Sequence, residues 1–536
     1  MINFLSVVSF LKTQKLFLIG LASSFLIYSC TNSSSTQTAL LQSNHNSEQT
    51  DGNGKTYDGK IRIVHHYDAN QKIYCHGQEV PYSILYRKSD TNDSWYLITN
   101  KSDCQQDPAI HVDGVNYDDS LKVAQFQGKN YYPPKIIEVV ASEDPNLPDT
   151  NLFDGICLDS RGFCSLRAAV EQASSLSSTS DVRINVSTGV YKITEPLAFH
   201  FPSTIDGHQI YLNGQDKMNT VIDGNGTTSH IKVDGSSGGL NISNFGFKNG
   251  YSKVAFSSSS ILPYYFHAPL NIENCLFENN VGASTLYAGL GNLEVNIRQS
   301  TFQNNQTATN DGVISTFSTP LLIENSTITQ NIGIGVLVEN KTSNVVIKNS
   351  TISYNQSLGL SFYQCVGCEV ENSTIAYNKY GIYISTAYFG NSANLLDVLI
   401  NNTTIAYNGD SEFANLTLAL TSSETKIRLS NSILANGHST TPNCTPGGSL
   451  QALVAINSLI DDNSCSLDTT TSANNLIAVD PLLGALSDNG GYTPTMKPSA
   501  ISPVIDQGLA LTCSVFDQRG QVRLGASCDI GAIEVK

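Results

Sequence analysis

From about residue 240 onward, apolar side chains fall into columns set by a recurring polar phrase. The phrase is Asn-Ser-Thr-Ile with a second Asn close behind, at Asn325–Asn331 (NSTITQN), Asn349–Asn355 (NSTISYN), Asn372–Asn378 (NSTIAYN) and Asn402–Asn408 (NTTIAYN). Weaker copies stand at Asn244, Asn274, Gln299, Asn431 and Asn457. Four residues before each first Asn come Leu240, Leu270, Val295, Leu321, Val345, Cys368, Val398, Ile427 and Leu453. Two residues before it come Ile242, Ile272, Ile297, Ile323, Ile347, Val370, Ile400, Leu429 and Ala455. This alternation predicts a strand with one face buried. Three residues after the Asn, past a bend, a further apolar column runs Phe247, Phe277, Phe302, Ile328, Ile352, Ile375, Ile405, Leu434 and Ile460.

Successive copies lie between 23 residues (Asn349 to Asn372) and 30 residues (Asn372 to Asn402) apart. Such a unit cannot bury its apolar face alone and must stack on its neighbours. The segments between copies are too short for a helix in each repeat. A coil of short parallel strands, one turn per repeat, puts like residues above one another at about 4.8 Å. The expected fold is therefore all-β, a right-handed parallel β-helix over residues 185–485.

At the corners, Asn tolerates the left-handed backbone and its amide can pair with the neighbouring coil. A structural Asn ladder is expected at Asn274, Asn325, Asn349, Asn372, Asn402, Asn431 and Asn457. A second column, Asn280, Asn305, Asn331, Asn355, Asn378, Asn408 and Asn463 with Gly250 and Gly437, marks the next corner. Just ahead of the first Asn stand Glu273, Arg298, Glu324, Lys348, Glu371, Asn401 and Ser430. On an outward face this alternation sets opposite charges across adjacent strands, a structural ladder worth about 0.2–1 kcal/mol per pair. The N-x-[ST] matches in the repeats are read as corner chemistry rather than glycosylation signals.

The open N-terminal end of the coil has a candidate cover. Ser165 can cap a helix through Leu166–Ala173, with Leu166, Ala169, Val170 and Ala173 on one stripe. Residues 136–184 are assigned to a linker and this N-terminal cap, and residues 57–135 to a small β domain of alternating apolar and polar positions. The aromatic side chains of that domain are read as core, with sugar stacking as the competing use. Asp51-Gly-Asn53-Gly only faintly matches a calcium loop, lacking the terminal Glu, and His65 and His66 would point to opposite faces of a strand. Residues 486–536, rich in Gly and Pro, are expected to cap the C-terminal end.

Charged residues make up only 14% of the chain, and the formal charge of −16 excludes nucleic acid as the expected partner. Lys12, Lys15 and the apolar run Leu16–Ile27 read as an export signal. Ile27-Tyr28-Ser29-Cys30 resembles a bacterial lipobox, with Cys30 as the lipid attachment site. Residues 1–30 are then a lipoprotein signal and 31–56 a flexible tether. The expected location is exported, lipid-anchored, at the outer membrane or cell surface.

The other cysteines fall in couples: Cys75 and Cys104, Cys157 and Cys164, Cys365 and Cys368, Cys444 and Cys465, Cys513 and Cys528, with Cys275 alone. Such couples suit an oxidising compartment. Cys365 and Cys368 are read as a staple or two buried thiols in preference to a redox pair. No Cys/His group has zinc spacing.

Two motifs carry a family resemblance. Asp154-Gly-Ile-Cys157 through Cys164-Ser-Leu-Arg-Ala-Ala-Val170 resembles the "CSLREAI" segment that precedes many bacterial surface β-helices, with Ala168 where Glu is usual. The runs Asp480–Gly484, Asp488–Gly491, Ser502–Asp506, Asp517–Gly520 and Cys528–Glu534 are similar to choice-of-anchor Q domain proteins. The likeness covers residues 150–536 and implies a pectate-lyase-like solenoid on an exported surface protein. Members often carry a C-terminal sorting element; none follows Glu534, so lipid on Cys30 would replace it.

The resemblance assigns no chemistry. The leading expectation is a non-enzymatic surface lipoprotein for adhesion to glycans or proteins. The alternative is a polysaccharide lyase or glycoside hydrolase acting along a groove. A lyase would need a Lys or Arg base beside carboxylates, with calcium possible; a hydrolase would need two or three Asp or Glu. Asp397, Asp410 and Glu412 are scattered acidic candidates without an evident basic partner. Three or more ionisable groups meeting on one face at adjacent rungs would favour catalysis.

Overall fold

The computed structural model describes residues 135–535 apart from short loop stretches, and, between residues 48 and 131, the backbone of strand segments. In that earlier stretch Arg62–Tyr67, Tyr82–Lys88, Ser94–Ile98 and Ile110–Val112 form an antiparallel four-stranded sheet. Small β elements thus precede the solenoid. Beyond them the chain is a right-handed parallel β-helix built of three sheets, of 12, 12 and 10 strands.

Each coil contributes one strand to each sheet. In the coil of the Asn349 phrase, Val345–Lys348 lies in the first sheet, Thr351–Ser353 in the second and Leu358–Tyr363 in the third. The inward columns stack in register as the alternation predicts: Ile328 over Ile352, Ile352 over Ile375 and Ile375 over Ile405. Phe277 stacks on Phe247 at 4.9 Å and on Phe302 at 4.3 Å, with ring planes within 13° and 8°. All of these side chains belong to one continuous core.

Asn244, Asn274, Asn325, Asn349, Asn372, Asn402, Asn431 and Asn457 all have left-handed backbones, with φ between 44° and 62°. Asn pays little for that conformation, which a β-branched residue avoids. From Gln299 onward, a buried hydroxyl follows the corner residue and closes the bend. Ser300, Ser326 and Ser350 accept from the backbone N–H of the coil before, at 3.1–3.2 Å.

The continuous buried amide ladder occupies the second column. Asn305 Oδ1 accepts from Asn280 N and Nδ2 at 3.1 and 2.9 Å, and the same double bond repeats through Asn331, Asn355, Asn378 and Asn408. Asn408 hands the ladder to Asn415, which bonds Asn443 at 2.8 Å. Asn463, expected in this column, is exposed instead, and Gly437 lies outside the described residues. The loop between Asn408 and Asn415 breaks the phrase spacing, which hides Asn415 and Asn443 in the sequence. In the first column an amide-to-amide bond links Asn274 to Asn244 at 2.7 Å, while Asn372, Asn402, Asn431 and Asn457 bond the C-terminal segment. Glycine lines the corner beside the ladder because nothing larger fits: a Cβ on Gly359 would stand 2.7 Å from Asn378 Nδ2, and one on Gly381 2.1 Å from Asn415 O.

The ends differ from expectation. The first sheet starts not at residue 185 but with Lys135–Val139, in parallel register with Val182–Val186. The stretch read as a linker therefore contains a coil strand; its neighbouring prolines conceal it, though Ile137 and Val139 point into the core. The helix Leu166–Leu176, capped by Ser165 accepting from Ala168 N, lays Leu166, Ala169, Val170 and Ala173 onto that core. The C-terminal segment does more than close the last rungs. It runs back along the corner between first and second sheets as a strap, from Gln507 at Asn457 to Gln518 at Ser350. Under it the outward column of the second sheet changes from Lys248, Glu278, Gln303 and Thr329 to buried Ser353, Ala376, Ala406 and Ala435.

Asn355→Ala would strip Asn331 of an acceptor and leave the Ile328 carbonyl and Asn378 Oδ1 short of donors, all buried. The expected loss is about 3 kcal/mol in urea denaturation. Asn325→Gly, at a left-handed corner with φ 52°, should stay within about 0.5 kcal/mol of the parent.

Candidate functional site

The outward face of the first sheet collects the charged side chains. Parallel register aligns Glu273, Arg298, Glu324, Lys348 and Glu371 in one column. Glu324 accepts from Arg298 Nε at 3.2 Å and pairs with Lys348 Nζ at 3.0 Å, so alternation becomes a string of ion pairs. Burial raises the carboxyl pKa of Glu273, against the pull of Arg298. This part of the face is the structural ladder that the sequence leads one to expect.

Beside this column a second carboxyl appears at the next rung, Glu369 opposite Val346. Strand Val366–Glu371 slips register between Val366 and Cys368, and the Cys365–Cys368 disulfide closes that bulge. Cys368 and Val370 point into the core, which leaves Glu369 and Glu371 side by side on the outer face. Arg428 stands on the face two rungs further along, opposite Leu399 in register, and binds Asp397 at 2.8 Å. Five ionisable groups, Lys348, Glu369, Glu371, Asp397 and Arg428, therefore meet over four adjacent rungs.

Their environments differ. The Glu369 carboxyl is raised above its usual 4.5, first by burial and then by Glu371, while Lys348 and Arg428 pull the other way. Glu371 accepts a hydrogen bond from the Ser514 hydroxyl of the strap. The strap is itself fixed: Ser514 N donates to Asn402 Oδ1 at 3.1 Å, Asn372 Nδ2 donates to the Phe516 carbonyl at 2.7 Å, and Leu509 N donates to Asn431 Oδ1 at 2.6 Å. Thus the outward Asn column supplies the fittings that hold a wall beside the carboxylates.

Asp397, which the sequence left without a basic partner, has one in Arg428 from the next coil. Asp410 and Glu412 lie outside the described residues, as do Cys30, Cys104 and the side chains of Cys75, His65 and His66. Glu369 escaped sequence reasoning because its signal is only a two-residue step from Glu371 across a strand. Cys157–Cys164, Cys444–Cys465 and Cys513–Cys528 are disulfides, while Cys275 is a buried thiol whose pKa burial pushes up to about 12. Among the described residues no group of three or more His, Cys, Asp or Glu stands close enough to hold a metal ion, and no helix is long and apolar enough to cross a membrane.

Comparison with known proteins agrees with the fold. The family model of the right-handed β-helix region matches residues 229–396 and 294–480. Among solved structures the chain is similar to pectate lyase Pel9A at 14% identity and a TM-score of 0.32, covering 75% of this chain and 96% of that one. It is also similar to the A-module of the Azotobacter vinelandii mannuronan C-5 epimerase AlgE6, at 15% identity and TM-score 0.27, covering 54% and 94%. The catalytic domain of a GH87 α-1,3-glucanase follows at 10% identity and TM-score 0.31, covering 78% and 88%. At such scores none of these likenesses bears on which residues act. No curated protein sequence matches the chain.

The raised Glu369 pKa fixes a sign. The folded state holds this proton more tightly than the unfolded one, so its contribution to stability falls as pH rises from 4.5 through the raised value. Glu369→Gln should therefore raise the urea midpoint in neutral buffer and lose that advantage in mildly acidic buffer.

Proposed function

We propose that the outer face of the first sheet, over the rungs from Lys348 to Arg428, binds an extended polysaccharide along the coil axis and hydrolyses a glycosidic bond there. The observation that supports this reading is the pair Glu369 and Glu371. They stand two residues apart on one strand face, about 7 Å at the backbone, between Lys348 on one side and Arg428 on the other. Paired carboxyls on one face suit glycoside hydrolysis, in which one is an acid and the other a base. Glu369, its protonated form favoured by burial, gives its proton to the glycosidic oxygen as the bond to the anomeric carbon breaks. Glu371, its orientation held by Ser514, takes a proton from the water that attacks that carbon from the opposite side. The several carboxylates on this face and the net charge of −16 favour a neutral polymer over a polyuronate.

A second reading, binding without cleavage, draws on a different part of the same face. There Arg298, Glu324 and Lys348 pair off on the outer face, a charged track whose carboxylate is already matched by bases. This is the adhesive surface protein expected from the sequence.

The two readings part on one assay. Purified full-length protein incubated with a panel of neutral glucans, mannans and polyuronates should retain a neutral polymer and release new reducing ends. Glu369→Gln and Glu371→Gln should each lower the rate by about 10²–10⁴-fold while leaving retention intact. Retention without new ends would leave only the adhesive reading. Cleavage unchanged in both variants would remove this cluster from the chemistry.

Location follows the same logic. A lipid on Cys30 would hold the coil at the bacterial envelope, as its lipobox-like sequence suggests. Labelled fatty acid should enter the parent chain and the membrane fraction, and Cys30→Ser should abolish both; incorporation that survives the substitution would refute the anchor.

A further inference from the structure

The strap carries an apolar ridge that its own packing leaves in solvent. Leu511 is 92% exposed, Val515 69% and Phe516 50%. The backbone that bears them is nonetheless pinned. Thr512 O accepts from Asn401 Nδ2 at 3.0 Å, Thr512 Oγ1 accepts from Asn431 Nδ2 at 3.0 Å, and Cys513 is bridged to Cys528. Contiguous exposed apolar groups held rigidly on a polar surface mark a contact site. Rigid display also reduces the ordering cost of binding.

The position of the ridge indicates its partner. Ser514, in the middle of it, donates to Glu371, and the Phe516 carbonyl is bound by Asn372, the residue after Glu371. The ridge is thus continuous with the carboxylate face on one side and with the solvated corner on the other. A pyranose ring presents a polar rim and apolar C–H faces, so a site that grips it requires both kinds of surface. Glu369, Glu371, Asp397 and Arg428 supply the polar kind alone.

Resting on the reading of this face as a glycan site, we infer that Leu511, Val515 and Phe516 form its apolar wall and take the C–H faces of the sugars bound beside Glu369 and Glu371. The wall determines which polymer is held. The strap is then part of the binding site, as well as a cover for the second sheet.

The test uses full-length protein and the neutral polymer retained by the parent. Phe516→Ala should weaken retention about tenfold, the effect of losing one well-placed aromatic anchor. It should raise KM for cleavage with little change in kcat, and Phe516→Tyr should restore both. Ile501→Ser, at an 84% exposed apolar position elsewhere on the strap, should change neither. Retention unaltered in Phe516→Ala, or weakened equally by Ile501→Ser, overturns the wall. So does a concentration-dependent dimer in sedimentation that Phe516→Ala abolishes, since the ridge would then pair two copies. A parent that retains no polymer at all defeats the glycan reading itself, and the wall with it.

Discussion

The buried amide at the corner between the second and third sheets governs the shape of the coils from Asn280 to Asn443. Six strand repeats turn on Asn280, Asn305, Asn331, Asn355, Asn378 and Asn408, each of which binds its successor twice and also a backbone carbonyl on the far side of the coil behind. A corner of this kind takes backbone N–H and C=O groups out of water without a strand partner, and an orphaned one costs about 1–3 kcal/mol. Amides stacked one per rung satisfy both sides at once. They thereby impose a common height on successive coils, and the aliphatic and phenylalanine stacks can form only in that register. The glycine-lined wall beside them, at Gly359 and Gly381, is the steric counterpart of the same requirement.

With the interior set, the outer faces are free to vary, and they do so in blocks. On the second sheet the outward column changes from charged and polar residues to Ser and Ala where the strap lies, since only small side chains let a second layer approach a sheet closely. On the first sheet, paired charges follow one another until the Cys365–Cys368 bulge. There Glu371 keeps its place opposite Lys348, and a second carboxyl, Glu369, joins it two residues away on the same strand. A purely structural ladder has no use for neighbouring carboxyls, one of them with its pKa raised by burial. Their occurrence next to the strap, which spends a hydroxyl on Glu371, is what distinguishes this region from the rest of the face.

The strap links these blocks. Its hold on Asn372, Asn402, Asn431 and Asn457 uses the very side chains whose left-handed backbone makes the first corner. One residue type therefore does two jobs. Its small amide permits the bend, and its outward polar end fastens a second layer. Within the strap, Arg523 and Glu534 pair at 3.3 Å with side chains only 3% and 4% exposed, and Arg519 binds Asp517 at 2.7 Å. This buried set lets a Gly- and Pro-rich stretch with few strands keep a single conformation.

The sequence by itself determined the coil. Period-two columns of Ile and Val, the Phe run at 247, 277 and 302, Asn at each bend and the Ser165 cap all act between near neighbours or between equivalent positions, so spacing alone exposes them. It also disclosed the charge ladder from Glu273 to Lys348, because parallel register converts repeat position into contact. Tertiary structure decided the remainder. The first strand at Lys135–Val139 is separated from its partner by a helix, so no repeat spacing announces it. The ladder's passage through Asn415 and Asn443 depends on a loop that the phrase does not contain. The strap crosses five coils that lie 50 to 168 residues away in the chain, and the Ser514–Glu371 bond arises from such a crossing. A repeat reports what recurs along the chain; a site made where the repeat is interrupted, from segments of unrelated spacing, leaves no periodic trace.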